Sequence, residues 1–350
     1  MMRSSYKDED VILLLKDITG LVEPLENEER EKMIQSGVHY CEMLPKEHLP
    51  SEEYMQTFYD ALRNFSDVTA DATASVAEKI IRSKGENTVL VSLARAGTPV
   101  GILIKKYIRF RFGIDVPHYS ISIIRGRGID NNAMKYILKR HAASDIQFVD
   151  GWTGKGAIQR ELTAAMKDYP GVDPQLAVLS DCPCIAGVSG TYDDILIASS
   201  CLNSTVSGLI SRTFLRSDII GKDDFHGAKF YEEFRDHDVT YKFIDTIASR
   251  FPDAKIDRCE KPVGRSGISE VRNIADKCGI SDINLVKPGI GEATRVLLRR
   301  VPWKILVNSL DDSKNLGHIY ELANEKHIPI EKYSLVNYRA CGLIKSLADS

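Results

Sequence analysis

The run Ile146–Gly156 (IQFVDGWTGKG) holds residue types that suit a sugar phosphate. An apolar strand runs into Asp150, then into Gly151, Thr153, Gly154, Lys155 and Gly156, and then into a helical stretch over 157–167. The carboxylate of Asp150 can accept hydrogen bonds from ribose hydroxyls. The small residues expose backbone N–H groups at a helix start, where aligned peptide dipoles favour an anion. Lys155 adds a point charge. The spacing is not that of the nucleotide loop G-x-x-x-x-G-K-[ST]. Gly151 and Gly154 stand too close, and Gly156 occupies the place of the magnesium-binding Ser or Thr.

The segments around this run alternate. Apolar spacing predicts a helix over 53–82, opened by Ser51 as N-cap, a buried strand over 88–93 and a turn over 94–99. A helix over 100–110, a strand over 116–124, a helix over 132–140 and the strand 146–150 follow. Further strands are expected at 176–180 and 194–198, and 202–252 reads as mainly helical. Such alternation implies a mostly parallel sheet covered by helices. Ligands of such sheets bind beyond the carboxyl ends of the strands, where both the 94–98 and 150–156 turns belong. A Gly/Pro-containing link at 261–267 leads to a second alternation: helix 268–278, strand 283–287, helix 291–300, strand 304–308, helix 315–326 and strand 328–334. The resulting α/β chain has a helical extension over 1–50, a main domain over 51–252 and a smaller domain over 264–350.

Bulk numbers set limits. Hydrophobic and charged fractions of 43% and 27% over 350 residues are those of an ordinary globular protein. A net charge of -3 argues against a generic polyanion binder but permits a local basic site. Residues 264–350 carry 13 Lys/Arg against 10 Asp/Glu, or +3, whereas residues 1–50 carry 6 against 11, or -5. The seven cysteines form no C-x-x-C pair and no zinc-like spacing with His, so no metal-ligand set is expected and reduced thiols are. Neither an apolar signal core nor a membrane-length apolar run is present. A cytoplasmic protein without membrane contact is expected, and a homo-oligomer is left open.

Two segments, Phe148–Gly156 and Ser92–Pro99, resemble the paired loops of type I phosphoribosyltransferases, enzymes that use 5-phosphoribosyl-1-pyrophosphate (PRPP) with magnesium. The resemblance implies that fold for the main domain, a sugar phosphate donor, Mg2+ and a glycosyltransferase activity that forms a glycosidic bond in a nucleoside-like metabolite. Arg95 with Ala94, Ala96, Gly97 and Thr98 would hold the pyrophosphate, Asp150 and Gly151 the ribose, and Thr153 to Gly156 the 5′-phosphate. Arg125 and Arg127 would sit on the segment that closes over substrate. Gly151 departs from the family pattern, which has a second acid there.

A wider resemblance covers nearly the whole chain. It is similar to bacterial proteins of tellurium-resistance and stress-response gene clusters, which join a phosphoribosyltransferase-like domain to a Pelota-type RNA-binding domain. It rests on the two loops, on Ser200–Gly208 and on the end of the chain. Asn203, Ser204 and Thr205 would cap a helix and meet ligand. The C-terminal unit resembles the L7Ae/Pelota family, in which Lys287, Gly289, Gly291, Glu292 and Arg295 would contact RNA, and Ile328–Ile330 and Arg339–Leu343 resemble that family's second contact loop and closing helix.

Two alternatives remain. Some relatives carry a cysteine-protease label (StiP), and Cys201 at a helix head would be the nucleophile, with His226 or His237 as base. The other is an RNA-binding protein whose transferase domain is inactive.

Overall fold

A computed structural model describes residues 2–257 and 260–344. Its centre is a mixed α/β arrangement with a mostly parallel sheet. In spatial order the strands are Ile12–Leu13, His118–Ile124, Val89–Ala94, Ile146–Trp152, Leu176–Ser180 and Val188–Thr191, all parallel to their neighbours. Gly128–Ile129 adds a short antiparallel piece on His118–Ile124. Chain order reverses between Val89–Ala94 and Ile146–Trp152, so the turns after these two strands flank the crevice where open parallel sheets take ligands.

The longest helix, Glu52–Lys84, starts where Ser51 Oγ accepts the Tyr54 N–H and stops at Gly85, whose φ of 74° breaks the helical run. It carries a buried stripe of small residues, among them Ala70, Ala74 and Ala77. This stripe lets it lie close on the edge strand: a Cβ on Gly190 would stand 2.3 Å from the Ala72 carbonyl oxygen. The helices Gly97–Phe112 and Thr240–Ala248 share its side of the sheet. Ala133, Met134 and Ile137 of Asn131–Leu138 and Leu162 of Ala157–Ala165 enter a second apolar core with the strand side chains Val91, Ile121 and Phe148.

Three expectations change. The 1–50 segment contains one helix, Asn27–Gln35, while Ile12–Leu13 joins the main sheet and Lys16–Asp17 pairs with Gly227–Ala228. The apolar run 194–198 is not a strand: the edge position belongs to Val188–Thr191, and Ala198–Cys201 forms a 3-10 turn. Residues 202–252 hold a single α-helix, Thr240–Ala248, and are otherwise turns, 3-10 pieces and a two-residue strand.

The C-terminal unit has a sheet in the order Val286–Pro288, Ala340–Ile344, Pro302–Val307, Ile330–Lys332, with helices Gly267–Lys277, Ile290–Arg299 and Ser313–Glu325. Residues 340–344 are thus a central strand and not the expected closing helix, and the expected contact loop at 328–330 leads directly into the strand Ile330–Lys332; residues 345–350 lie outside those described. This unit is not a separate bead. Ile290, Leu297 and Ile319 belong to the same continuous core as Phe58, Leu62 and Ala198.

Candidate functional site

The 94–98 and 150–156 turns lie at the carboxyl edge of the main sheet, but the charged and hydroxyl side chains on them already have protein partners. Gly97 opens its helix so close to the neighbouring strand that a Cβ would stand 2.6 Å from the Val149 carbonyl oxygen. Ala94 and Ala96 flank Arg95, and the Ala94–Arg95 peptide is cis. Thr98 is buried and its hydroxyl meets Ser120 Oγ at 2.7 Å. The Arg95 guanidinium donates to Glu47 Oε1 at 2.7 Å and to the Ile210 carbonyl at 2.8 Å. Glu47 in turn accepts from the Ser204 backbone N–H at 3.2 Å, at the start of the 3-10 turn Ser204–Val206. Asn203 precedes that turn, and the buried Thr205 Oγ1 meets no hydrogen-bond partner.

Asp150 accepts the Gly151 N–H at 2.8 Å, and burial pushes its carboxyl up to about 7. The Thr153 hydroxyl is bonded to Asp181. The Gly154 carbonyl accepts from Tyr338 at 3.1 Å, and the Lys155 ammonium donates to the carbonyls of Ile283 and Val286 at 2.8 and 3.2 Å. Burial, and secondly the nearby Lys287, lower the Lys155 ammonium to about 8. Gly156 takes φ 75°, which fits its place before the Ala157–Ala165 helix. The expected phosphate grip is therefore a joint to the C-terminal unit, with the lysine directed at backbone carbonyls.

The expected RNA loop faces the same joint from the other side. Asp194, buried and pushed up to about 6 by that burial, accepts the Ile290 N–H with both oxygens at 3.0 Å and the Arg339 N–H at 2.9 Å. It thereby caps the Ile290–Arg299 helix. The Gly289 N–H goes to the Ala340 carbonyl, and a Cβ on Gly291 would stand 3.1 Å from Ser200 Oγ. Glu292 pairs with Arg295 at 3.3 Å. Lys287 is half-buried, its ammonium lowered mainly by that burial. The enclosed space between Thr153, Asp194, Ser200 and Glu292 has room for about one water.

The arginines expected to close over substrate converge instead on the N-terminal stretch 39–47. Arg127 pairs with Glu42 at 2.8 Å. Arg125 donates its backbone N–H to Tyr40 Oη at 3.0 Å, and its guanidinium lies 5.7 Å from that ring. Arg212, which sequence reading passed over, donates to the carbonyls of Tyr40 and Met43 at 2.5 and 3.2 Å. What these contacts hold in place is a thiol–imidazole pair. His39 Nδ1 stands 3.0 Å from Cys41 Sγ and also accepts the Cys41 backbone N–H at 3.4 Å. An Nδ1 that accepts the amide leaves the ring proton on Nε2, so Nδ1 faces the thiol as an acceptor; the Leu215 carbonyl, 3.6 Å from Sγ, is a second acceptor for the thiol proton. Cys41 is fully buried. Burial raises its thiol, and the Arg127 charge pulls the other way. The sequence signal, a His two residues before a Cys in Val38-His-Tyr-Cys41, was there to be weighed.

The Cys201 assignment meets a different environment. Cys201 is fully buried in the main core. His226 Nδ1 meets Ser122 Oγ at 2.9 Å, and the His226 backbone N–H, not the ring, goes to Asp130 at 2.6 Å. His237 is exposed at the end of the Glu232–His237 turn. Among the described residues no three His, Cys, Asp or Glu side chains gather as a metal-holding group, and no helix is long and apolar enough to cross a membrane.

Known proteins supply the remaining comparison. A family described as "Tellurite-like stress resistance cysteine protease StiP" matches residues 4–248. A family described as "PELOTA RNA binding domain" matches residues 265–346. A curated protein of Acinetobacter baylyi named "Cysteine protease StiP" is 34% identical over 372 residues, which span 98% of this chain and 94% of that protein. A solved Helicobacter pylori xanthine-guanine-hypoxanthine phosphoribosyltransferase is 17% identical over 39% of this chain and 77% of its own, with a TM-score of 0.24, too low to carry any inference. The transferase expected from the two loops, and with it the use of PRPP, is overturned by the match of the main unit and of the full-length relative to proteins named for a cysteine protease. The chain belongs to the StiP family and carries a Pelota-type RNA-binding domain behind its StiP domain.

Proposed function

We propose that this chain is a cysteine-dependent hydrolase of peptide bonds, with Cys41 as nucleophile and His39 as base. One observation carries the assignment: the 3.0 Å approach of His39 Nδ1 to Cys41 Sγ, the nucleophile–base geometry that thiol catalysis requires. The name of the Acinetobacter baylyi relative supports the reaction class. In the forward step the thiol proton passes to Nδ1 and sulfur attacks the carbonyl carbon. The amine leaves with the proton from the imidazolium, and water then hydrolyses the thioester, returning the thiol. Arg127 favours the thiolate. Because Cys41 is fully buried, substrate reaches it only after the 39–43 turn shifts. The step needs no magnesium.

Activity on a casein-type general substrate tests this. Cys41→Ser should abolish cleavage, and His39→Ala should reduce it by at least about 100-fold, in line with loss of a general base. Cys201→Ser should leave it intact. Loss with Cys201→Ser and retention with Cys41→Ser would move the nucleophile to Cys201. Cleavage that survives both substitutions would remove the thiol mechanism.

A second reading concerns the C-terminal unit, which we read as an L7Ae-like module that contacts RNA. The family match over 265–346 and its charge of +3 (13 Lys/Arg against 10 Asp/Glu over 264–350) support it. At the level of fold alone, the strand order with its reversal between two loops supports a phosphoribosyltransferase-like scaffold beneath the hydrolase.

A further inference from the structure

We propose that RNA is held in an open groove on the C-terminal unit, away from the glycine loop that sequence pointed to, and that the groove takes a single-stranded segment by stacking one base on Tyr333. The proposal rests on the reading of this unit as RNA-binding.

The glycine loop is poorly placed for the task. The Ile290 N–H belongs to Asp194, the Gly289 N–H to Ala340, and Gly291 lies against Ser200, so the loop's amides face the first unit. A phosphate could reach them only by displacing a carboxylate already in place.

The groove has the opposite character. It encloses about 760 Å³, within the range of roughly 300–1,000 Å³ typical of ligand clefts. One wall is the side of the Gly267–Lys277 helix that carries Ser269, Glu270, Asn273, Asp276 and Lys277, the other the stretch 332–337. Arg265, Lys277 and Lys332 line it and are exposed, with Asp276 as the exposed acid on the rim. Lys277 Nζ lies 5.2 Å from the centre of the Tyr333 ring, which is half-buried and so held in orientation. The helix has 11 residues; its first, Gly267, is buried against Pro183 and Tyr338, so the groove meets its exposed side at Ser269, Asn273, Asp276 and Lys277.

An independent observation points to a ligand. Asn337 is 7% exposed. Its Nδ2 donates to Glu270 at 2.7 Å, and its backbone N–H to the same carboxylate at 2.9 Å. Its Oδ1 is buried with no hydrogen-bond partner, on a residue that lines the groove. An unpaired amide oxygen on a groove-lining residue can accept from the amino edge of a base once the Asn337 side chain turns toward the groove. Stacked aromatics with flanking cations are how single strands are held with little sequence preference.

Anisotropy of a short fluorescent single-stranded RNA against the full chain tests this. Tyr333→Ala should weaken binding by about tenfold, as loss of a stacking platform does, while Tyr333→Phe should bind as the native chain. The double charge reversal Lys277→Glu with Lys332→Glu should weaken it by at least about tenfold and flatten its salt dependence. Lys287→Gln with Arg295→Gln, on the glycine loop, should weaken binding less than the groove charge reversal, by no more than about threefold. Thermal melts identify any variant that has lost its fold. If the glycine-loop pair abolishes binding and the groove variants do not, the groove is wrong and the RNA reading stands. If the native chain binds no RNA at low salt, both are wrong.

Discussion

Arg95, Arg125, Arg127 and Lys155 have the right types for an anion site, and all four have other partners. Their partners Glu47, Tyr40, Glu42 and the carbonyls of Ile283 and Val286 lie 48 to 131 positions away along the chain. No local pattern announces such pairing, which is why residue type was legible and role was not. Asp150 is the converse: its place at the end of a buried strand could be read directly, and burial explains its chemistry. Its carboxyl is raised to about 7 from an ordinary 3.8. Between those values the folded state holds a proton that the unfolded state has released, so this group's contribution to stability falls as pH rises through that window. Asp150→Asn keeps an acceptor for Gly151 and removes the titration. Urea unfolding at pH 5 and pH 8 should show the native chain losing about 2–4 kcal/mol more than the variant. Equal losses would mean that the carboxylate is well solvated. Asp194, raised to about 6, adds a smaller fall of the same sign in both proteins.

The central strands and their helices were legible because their apolar runs are long and bounded by turn residues: 88–93, 116–124, 146–150 and 176–180 each fall on an observed strand. The run 194–198 misled because apolar content marks burial and not pairing. Asp194, Leu196, Ile197 and Ala198 are buried, with Asp194 bonded to the C-terminal unit, while the less apolar Val188–Thr191, with Gly190 against the long helix, takes the sheet edge. The Ile12–Leu13 strand was invisible because its partner is Tyr119–Ser120, over a hundred positions away. The Ile290–Arg299 helix shows how an end can be finished from afar, by Asp194. Asp194→Ala leaves those N–H groups without an acceptor. It should cost about 2–3 kcal/mol in chemical denaturation, the usual penalty for losing a charged cap with several bonds. A cost below about 0.5 kcal/mol would mean that water replaces the carboxylate freely.

The boundary between the two matched families, 248 and 265, suggests two independent modules, but the packing does not. Ile290, Leu297 and Ile319 share a core with Phe58 and Leu62, and Lys326 pairs with Glu53 at 3.3 Å. The chain has two tryptophans, Trp152 in the first unit and Trp303 in the second. Single-tryptophan versions made by Trp→Phe should therefore report the same denaturant midpoint, as one cooperative transition does. Midpoints that differ would show that the units melt separately.

Asp194 has one more consequence. A carboxylate fixed against the start of the Ile290–Arg299 helix is a competitor that never diffuses away. A free phosphate group would contend with an intramolecular rival that is present at a fixed effective concentration whatever the solution holds. An external anion can take this helix start only by first displacing Asp194, so any anion site there would open and close with the seam between the two units.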